Sequence, residues 1–160
     1  MNQPWLWVGK YLLVIAAALV LGAVLGGLEP FHSTTIGSAR IGVGTLVQFI
    51  AHGGALGLLW AMGYRHAAQL RATSGSVSHL ATTVLALTTL VVTASAYAVL
   101  LRFTAPFITL DIKMIVDWTF IGAILAAAAW LLWALFVDSE AVIAAIGRAA
   151  RRVGGTESKA

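Results

Sequence analysis

Residues 41–64 read IGVGTLVQFIAHGGALGLLWAMGY, 24 residues without a formal charge between Arg40 and Arg65. A helix that crosses the hydrocarbon core of a bilayer needs about 20 apolar residues at a rise of about 1.5 Å each. This stretch has the length, yet it also carries Gln48 and His52. Whether it spans a membrane or lies in a soluble core is decided by the rest of the chain.

The 160 residues are 60% apolar and only 10% charged, with a mean hydropathy of +0.92. Soluble domains sit near about 45–50% apolar and about 25% charged. So few charges cannot clothe so much apolar surface in water, which excludes a soluble globular domain and a disordered chain. Charges punctuate the sequence elsewhere as they do around 41–64. Uncharged runs of 18, 30 and 20 residues separate Lys10 from Glu29, Arg71 from Arg102, and Asp117 from Asp138. Four transmembrane helices follow, over about 6–28, 41–64, 79–101 and 114–137. The expected fold is an all-α four-helix membrane bundle over 1–138, followed by a tail over 139–160. The first run is long for a signal-peptide core and is preceded by Trp5 and Trp7, so an uncleaved helix is expected.

Basic residues set the orientation. With both termini cytoplasmic, the inside holds Lys10, Arg65, Arg71, Arg148, Arg151, Arg152 and Lys159, against Arg40, Arg102 and Lys113 outside. Seven against three predicts an N-in, C-in protein of a bacterial inner membrane. In this setting the net charge of +4 points to anionic lipid rather than nucleic acid. On a wheel of 140–153, Val142, Ile143, Ile146, Ala149, Ala150 and Val153 share one arc, opposite Arg148, Arg151 and Arg152. That pattern predicts a short amphipathic helix lying on the cytoplasmic leaflet, its arginines among lipid phosphates.

The loops are short. Residues 29–40 read as an ordered turn around Pro30, and 73–76 as the flexible centre of a cytoplasmic loop. Residues 102–117 admit two readings: extended chain, or a longer fourth helix capped by Asp111.

Function is sought in the polar residues at membrane depth. On the second span Arg40, Gly44, Gln48 and His52 recur every four residues and drift along one face. An ionisable residue inside a span is a functional candidate by default, though a neutral histidine bonded between helices also serves as glue. On the third span Thr82, Thr89, Thr93 and Tyr97 lie in a narrow arc, with His79 at its cytoplasmic end. Facing these two rows across one seam would satisfy their polar groups, or line a hydrated path. The first and fourth spans offer small residues for packing, Gly22 with Gly26 and Ala126–Ala129, the latter followed by Trp130 and Trp133.

Other chemistry has less support. His52 and His66 are fourteen steps apart, about 21 Å and about 40° round a helix, a spacing like that of two-haem membrane cytochromes. Each haem there takes a second histidine from another helix, and the fourth span has none; His66 with His79 would hold one at most. Glu29, His32, Asp111 and Asp117 stand on outer loops at irregular spacing. No cysteine is present, which removes thiolate metal sites and thiol catalysis. No phosphate loop, zinc-protease motif or nucleophile elbow occurs. The reading is therefore a non-catalytic membrane subunit without a cofactor, whose partners are the bilayer and another membrane protein or itself. The alternatives are an oligomeric transporter or channel using the seam, and a haem b or quinone anchor.

Overall fold

The computed structural model describes residues 6–36, 41–72, 78 and 80–154. In chain order they form α1 (Leu6–Gly27), α2 (Glu29–Ser33), β1 (Thr35–Ile36), β2 (Ile41–Gly42), α3 (Val43–Ala72), α4 (Leu80–Thr104) and α5 (Leu110–Gly154). Four helices are long and apolar enough to cross a membrane: Leu6–Gly27, Val43–Ala72, Leu80–Thr104 and the Leu110–Ser139 part of α5. Among the described residues the only strands are one pair of two residues each, and the protein is otherwise a helical, multi-pass membrane protein.

Charge ends a span but not a helix. The charges after Tyr64 mark the edge of the apolar run, yet α3 continues through RHAAQLRA to Ala72. Those residues are nearly all strong helix formers, and their charged side chains are at ease in water. The same holds at the other end of the chain. α5 begins at Leu110, one step after Thr109, whose carbonyl accepts the Lys113 N–H at 2.9 Å. Asp111 lies in its first turn, where it complements the helix dipole. Residues 110–117 are thus helical, and the extended reading of this stretch is set aside. The helix then runs 45 residues to Gly154 without a break. A separate tail element was expected after the fourth span; the backbone instead carries it as a continuation of α5.

The α1–α3 connection is compact. Leu28 is extended, Pro30 opens α2 where its missing N–H costs nothing, and the Ser33 hydroxyl donates to the Glu29 carbonyl at 2.7 Å. β1 and β2 pair antiparallel, Thr35 opposite Gly42 and Ile36 opposite Ile41, and the Val43 N–H donates to the Thr34 carbonyl at 2.9 Å. At the far end of α4 the Thr104 hydroxyl folds back to the Leu100 carbonyl, and Pro106 stops the helix.

Each spanning helix packs mainly on the spans next to it in sequence: α1 on α3, α3 on α4, α4 on α5. Among the described residues the first and last spans share no substantial contact, so the bundle is a serial one. Every buried apolar side chain described is alanine: Ala55 and Ala67 on α3, Ala81 and Ala86 on α4, Ala127 and Ala134 on α5. The α1–α3 crossing is closer still. A Cβ at Gly44 would lie 2.6 Å from the Gly26 carbonyl oxygen, and one at Gly26 would lie 2.8 Å from the Gln48 side chain. A Cβ at Gly22 would collide with Ala51. The expected role of Gly22 and Gly26 in close helix packing is therefore realised, against α3. In lipid, apolar area gives helices no net drive to associate, and such contacts take its place.

Gly44→Ala forces the two backbones apart, and about 1–3 kcal/mol of stability is lost. Gly53, on the same helix, has open space around it. Gly53→Ala is expected to be neutral or stabilising by about 0.5–1 kcal/mol, through helix propensity. Thermal unfolding of both variants in one detergent checks the contrast. Equal melting temperatures would show that the crossing carries no stability.

Candidate functional site

The expected seam divides in two. His52 lines a pocket of about 160 Å³ between α3 and α4. Its α3 wall is Thr45, Gln48, Phe49 and His52. Its α4 wall is Ala98, Val99, Arg102 and Phe103, and none of the expected threonines belongs to it. The helical wheel explains why. Thr89 and Ala98 are nine residues apart, about two and a half turns, and so point to opposite sides of α4. Thr93 and Arg102 stand in the same relation. The Thr82, Thr89, Thr93 row therefore faces away from the His52 pocket.

Tyr97 leaves the seam as well. Its hydroxyl donates to Asp117 of α5 at 2.8 Å, and its ring lies 5.3 Å from that of Phe120. Asp117 also takes Lys113 one turn earlier on α5, at 2.6 Å. A second clasp of the same kind sits at the other end of this helix pair, where the Thr83 hydroxyl donates to Asp138. Asp138 is only 6% exposed, the one buried charged group described. In the sequence Asp138 marks only the end of the fourth uncharged run, and Thr83 stands outside the threonine row. The signal was present: a hydroxyl at the start of one span and an acid at the end of the next share a depth when the two run antiparallel.

Several other hydroxyls are satisfied by their own helix. Thr88 donates to Val84, Thr89 to Leu85, Thr104 to Leu100 and Thr119 to Ile115, each at 2.8 Å to the carbonyl four residues back. His52 does the same, its Nδ1 lying 2.7 Å from the Gln48 carbonyl oxygen. A carbonyl only accepts, so Nδ1 carries the hydrogen and Nε2 is left for any further partner. Gln48 turns its side chain toward Gly26 of α1 rather than to the imidazole. Gln48 and His52, four residues apart, are thus joined through the Gln48 backbone.

His66 lies on the same helix as His52, against the ring of Trp7 on α1 at 6.1 Å. Beside it, Arg65 reaches the Tyr11 hydroxyl at 3.2 Å and lies over its ring at 5.9 Å. No histidine faces His52 across the pocket among the described residues, so the geometry gives no pair of haem ligands there. Arg40, His79 and the His32 side chain lie outside the described residues, as do the side chains of Arg148, Arg151 and Arg152. Asp117 is engaged by Lys113 and Tyr97, and the described residues contain no cluster of three metal-ligating side chains.

Comparison with protein-family models, with curated proteins and with solved structures finds no match for this chain.

A double-mutant cycle with Thr83→Val and Asp138→Asn is expected to give a coupling of about 1 kcal/mol, near the upper part of the range for polar contacts between membrane helices. Unfolding free energies in mixed micelles measure it. Strictly additive effects would show that the clasp contributes nothing.

Proposed function

We propose that this protein is a small, non-catalytic subunit of a bacterial inner membrane that completes its packing against another membrane protein or a second copy of itself. The observation that carries this reading is the Thr82, Thr89, Thr93 row. It runs along the third span of a serial bundle, on the side away from the His52 pocket. Thr82 and Thr93 make no hydrogen bond among the described residues. Thr93 stands near the centre of α4, where water is scarce and a hydroxyl gains from a partner helix. Ala96, one turn from Thr93, is a small side chain beside the row.

Both termini are placed in the cytoplasm by the distribution of Lys and Arg. The last part of α5, with Arg148, Arg151 and Arg152, then projects on that side toward anionic headgroups. The alternative of a transport path was to use Gln48, His52, Thr89 and Thr93 together; here the two threonines lie on the side of α4 away from the His52 pocket.

The absence of cysteine makes the reading easy to test. Thr93→Cys is expected to form an adduct in native membranes, either a disulfide with a second copy or a cross-link to a partner through a short thiol-reactive reagent. Leu87→Cys, on the exposed opposite side, is expected to form none. Adducts from neither position, or from both equally, would defeat the proposal. A reporter inserted after Thr73 is expected to be cytoplasmic; a periplasmic signal would invert the topology.

A further inference from the structure

The His52 pocket holds a combination of groups that the packing reading does not use. Arg102 lines it, and makes no hydrogen bond or ion pair among the described residues. No aspartate or glutamate lines it. Thr45 adds a hydroxyl without a partner among the described residues. The Phe49 and Phe103 rings stack at 4.1 Å, interplanar angle 20°, and offer an aromatic surface. His52 supplies Nε2, and its form is fixed by the Nδ1 bond to Gln48: in the neutral imidazole Nε2 has a lone pair and no hydrogen.

The pocket thus asks for two different things. Arg102 and Thr45 offer donors toward the end of α4, and there an acceptor oxygen is wanted. His52 lies seven residues from Thr45, about 10 Å further along α3, and there a donor is wanted. An anionic phospholipid answers only the first demand. Its phosphate would meet Arg102, but its acyl chain would lie along His52 and has no hydrogen to give. A hydroxylated aromatic ring answers both. One oxygen accepts from the guanidinium, the other donates to Nε2, and the ring lies on the phenylalanine pair. Pockets of this kind are mostly apolar, with a few polar groups that fix orientation.

We infer that the His52–Arg102 pocket binds the headgroup of a membrane-soluble hydroquinone, reached from the bilayer between α3 and α4. The reduced form is preferred because its hydroxyl supplies the hydrogen that Nε2 accepts. The oxidised ring, with carbonyl oxygens only, opposes a lone pair to a lone pair at His52. No electron transfer is part of the inference, and it stands whether or not the threonine row docks a partner.

The test uses the whole protein in phosphatidylcholine nanodiscs and a short-tailed alkyl hydroquinone, with equilibrium dialysis of the reduced and oxidised forms. Saturable binding of one reduced molecule per chain is expected, tighter than the oxidised form by about 5-fold to 10-fold, as one hydrogen bond gives. His52→Ala is expected to remove that preference and leave the oxidised form's binding nearly unchanged. Ala98→Phe fills the pocket with both polar groups still in place, and is expected to abolish saturable binding of both forms. Leu132→Phe, on the exposed side of α5, controls for partition into lipid and is expected to change nothing. If Ala98→Phe fails to fold, the His52→Ala comparison decides alone. Non-saturable uptake by the native protein, equal affinity for the two forms, or full displacement by added phosphatidylglycerol would each overturn the inference, the last in favour of an anionic lipid.

Discussion

The approach of α1 to α3 governs how the rest of the molecule is arranged. In water, burying leucine and valine would hold two helices together through the area removed from solvent. In a bilayer the lipid chains are as apolar as the side chains, and that gain disappears. What remains is dispersion between atoms brought very close, and hydrogen bonds that lipid cannot offer. The first requires small residues. Gly22, Gly26 and Gly44 let two backbones touch, and alanines on α3, α4 and α5 carry the other two contacts. Gly63 works in the same way at the α3–α4 contact, where a Cβ would collide with Thr88. The large side chains are left outside, many of them well exposed, as lipid permits.

Hydrogen bonds follow a second constraint. A threonine or histidine inside a helix can reach the carbonyl four residues back without help from any neighbour. Thr88, Thr89 and His52 do so. That local satisfaction removes the pressure to turn polar faces toward one another, and so the two polar rows need not meet. Carboxylates cannot satisfy themselves this way, because they only accept. Asp117 and Asp138 therefore draw donors from elsewhere: Lys113 from one turn back on α5, and Tyr97 and Thr83 across from α4. Between α4 and α5 the polar contacts described are made where an acid is present, not where hydroxyls are most numerous.

This difference also explains what the sequence discloses and what it withholds. The spans are legible because charges such as Arg40, Arg65 and Arg102 interrupt apolar runs of membrane length. The role of Gly22 and Gly26 is legible because their spacing is that of a close contact. The lateral neighbour of each polar row is not. A wheel shows that Thr82, Thr89 and Thr93 share a face, but nothing in it says whether that face looks toward α3 or away. The deciding residues were Ala98 and Arg102, half a turn round from the threonines. As an alanine and a border charge they gave no sign of lining a pocket. The ends of the helices were obscured for another reason: side chains that stop a membrane span, in RHAAQLRA after Tyr64, are good helix formers.

The two sides of α4 consequently differ in kind. One presents hydroxyls among small side chains, a surface suited to another helix. The other opens at Ala98, beside Arg102, His52 and a stacked pair of phenylalanines, a surface suited to a ring. A single polar seam would have spent both sets of groups on each other and left the molecule inert toward anything but lipid. Because Thr88 and Thr89 close onto their own helix and Tyr97 is claimed by Asp117, the cation and the imidazole keep their free valences. Those valences are of opposite sense, a donor at Arg102 and an acceptor at Nε2. Lipid chains match neither, so the pocket is the place in this fold where composition exceeds what packing requires.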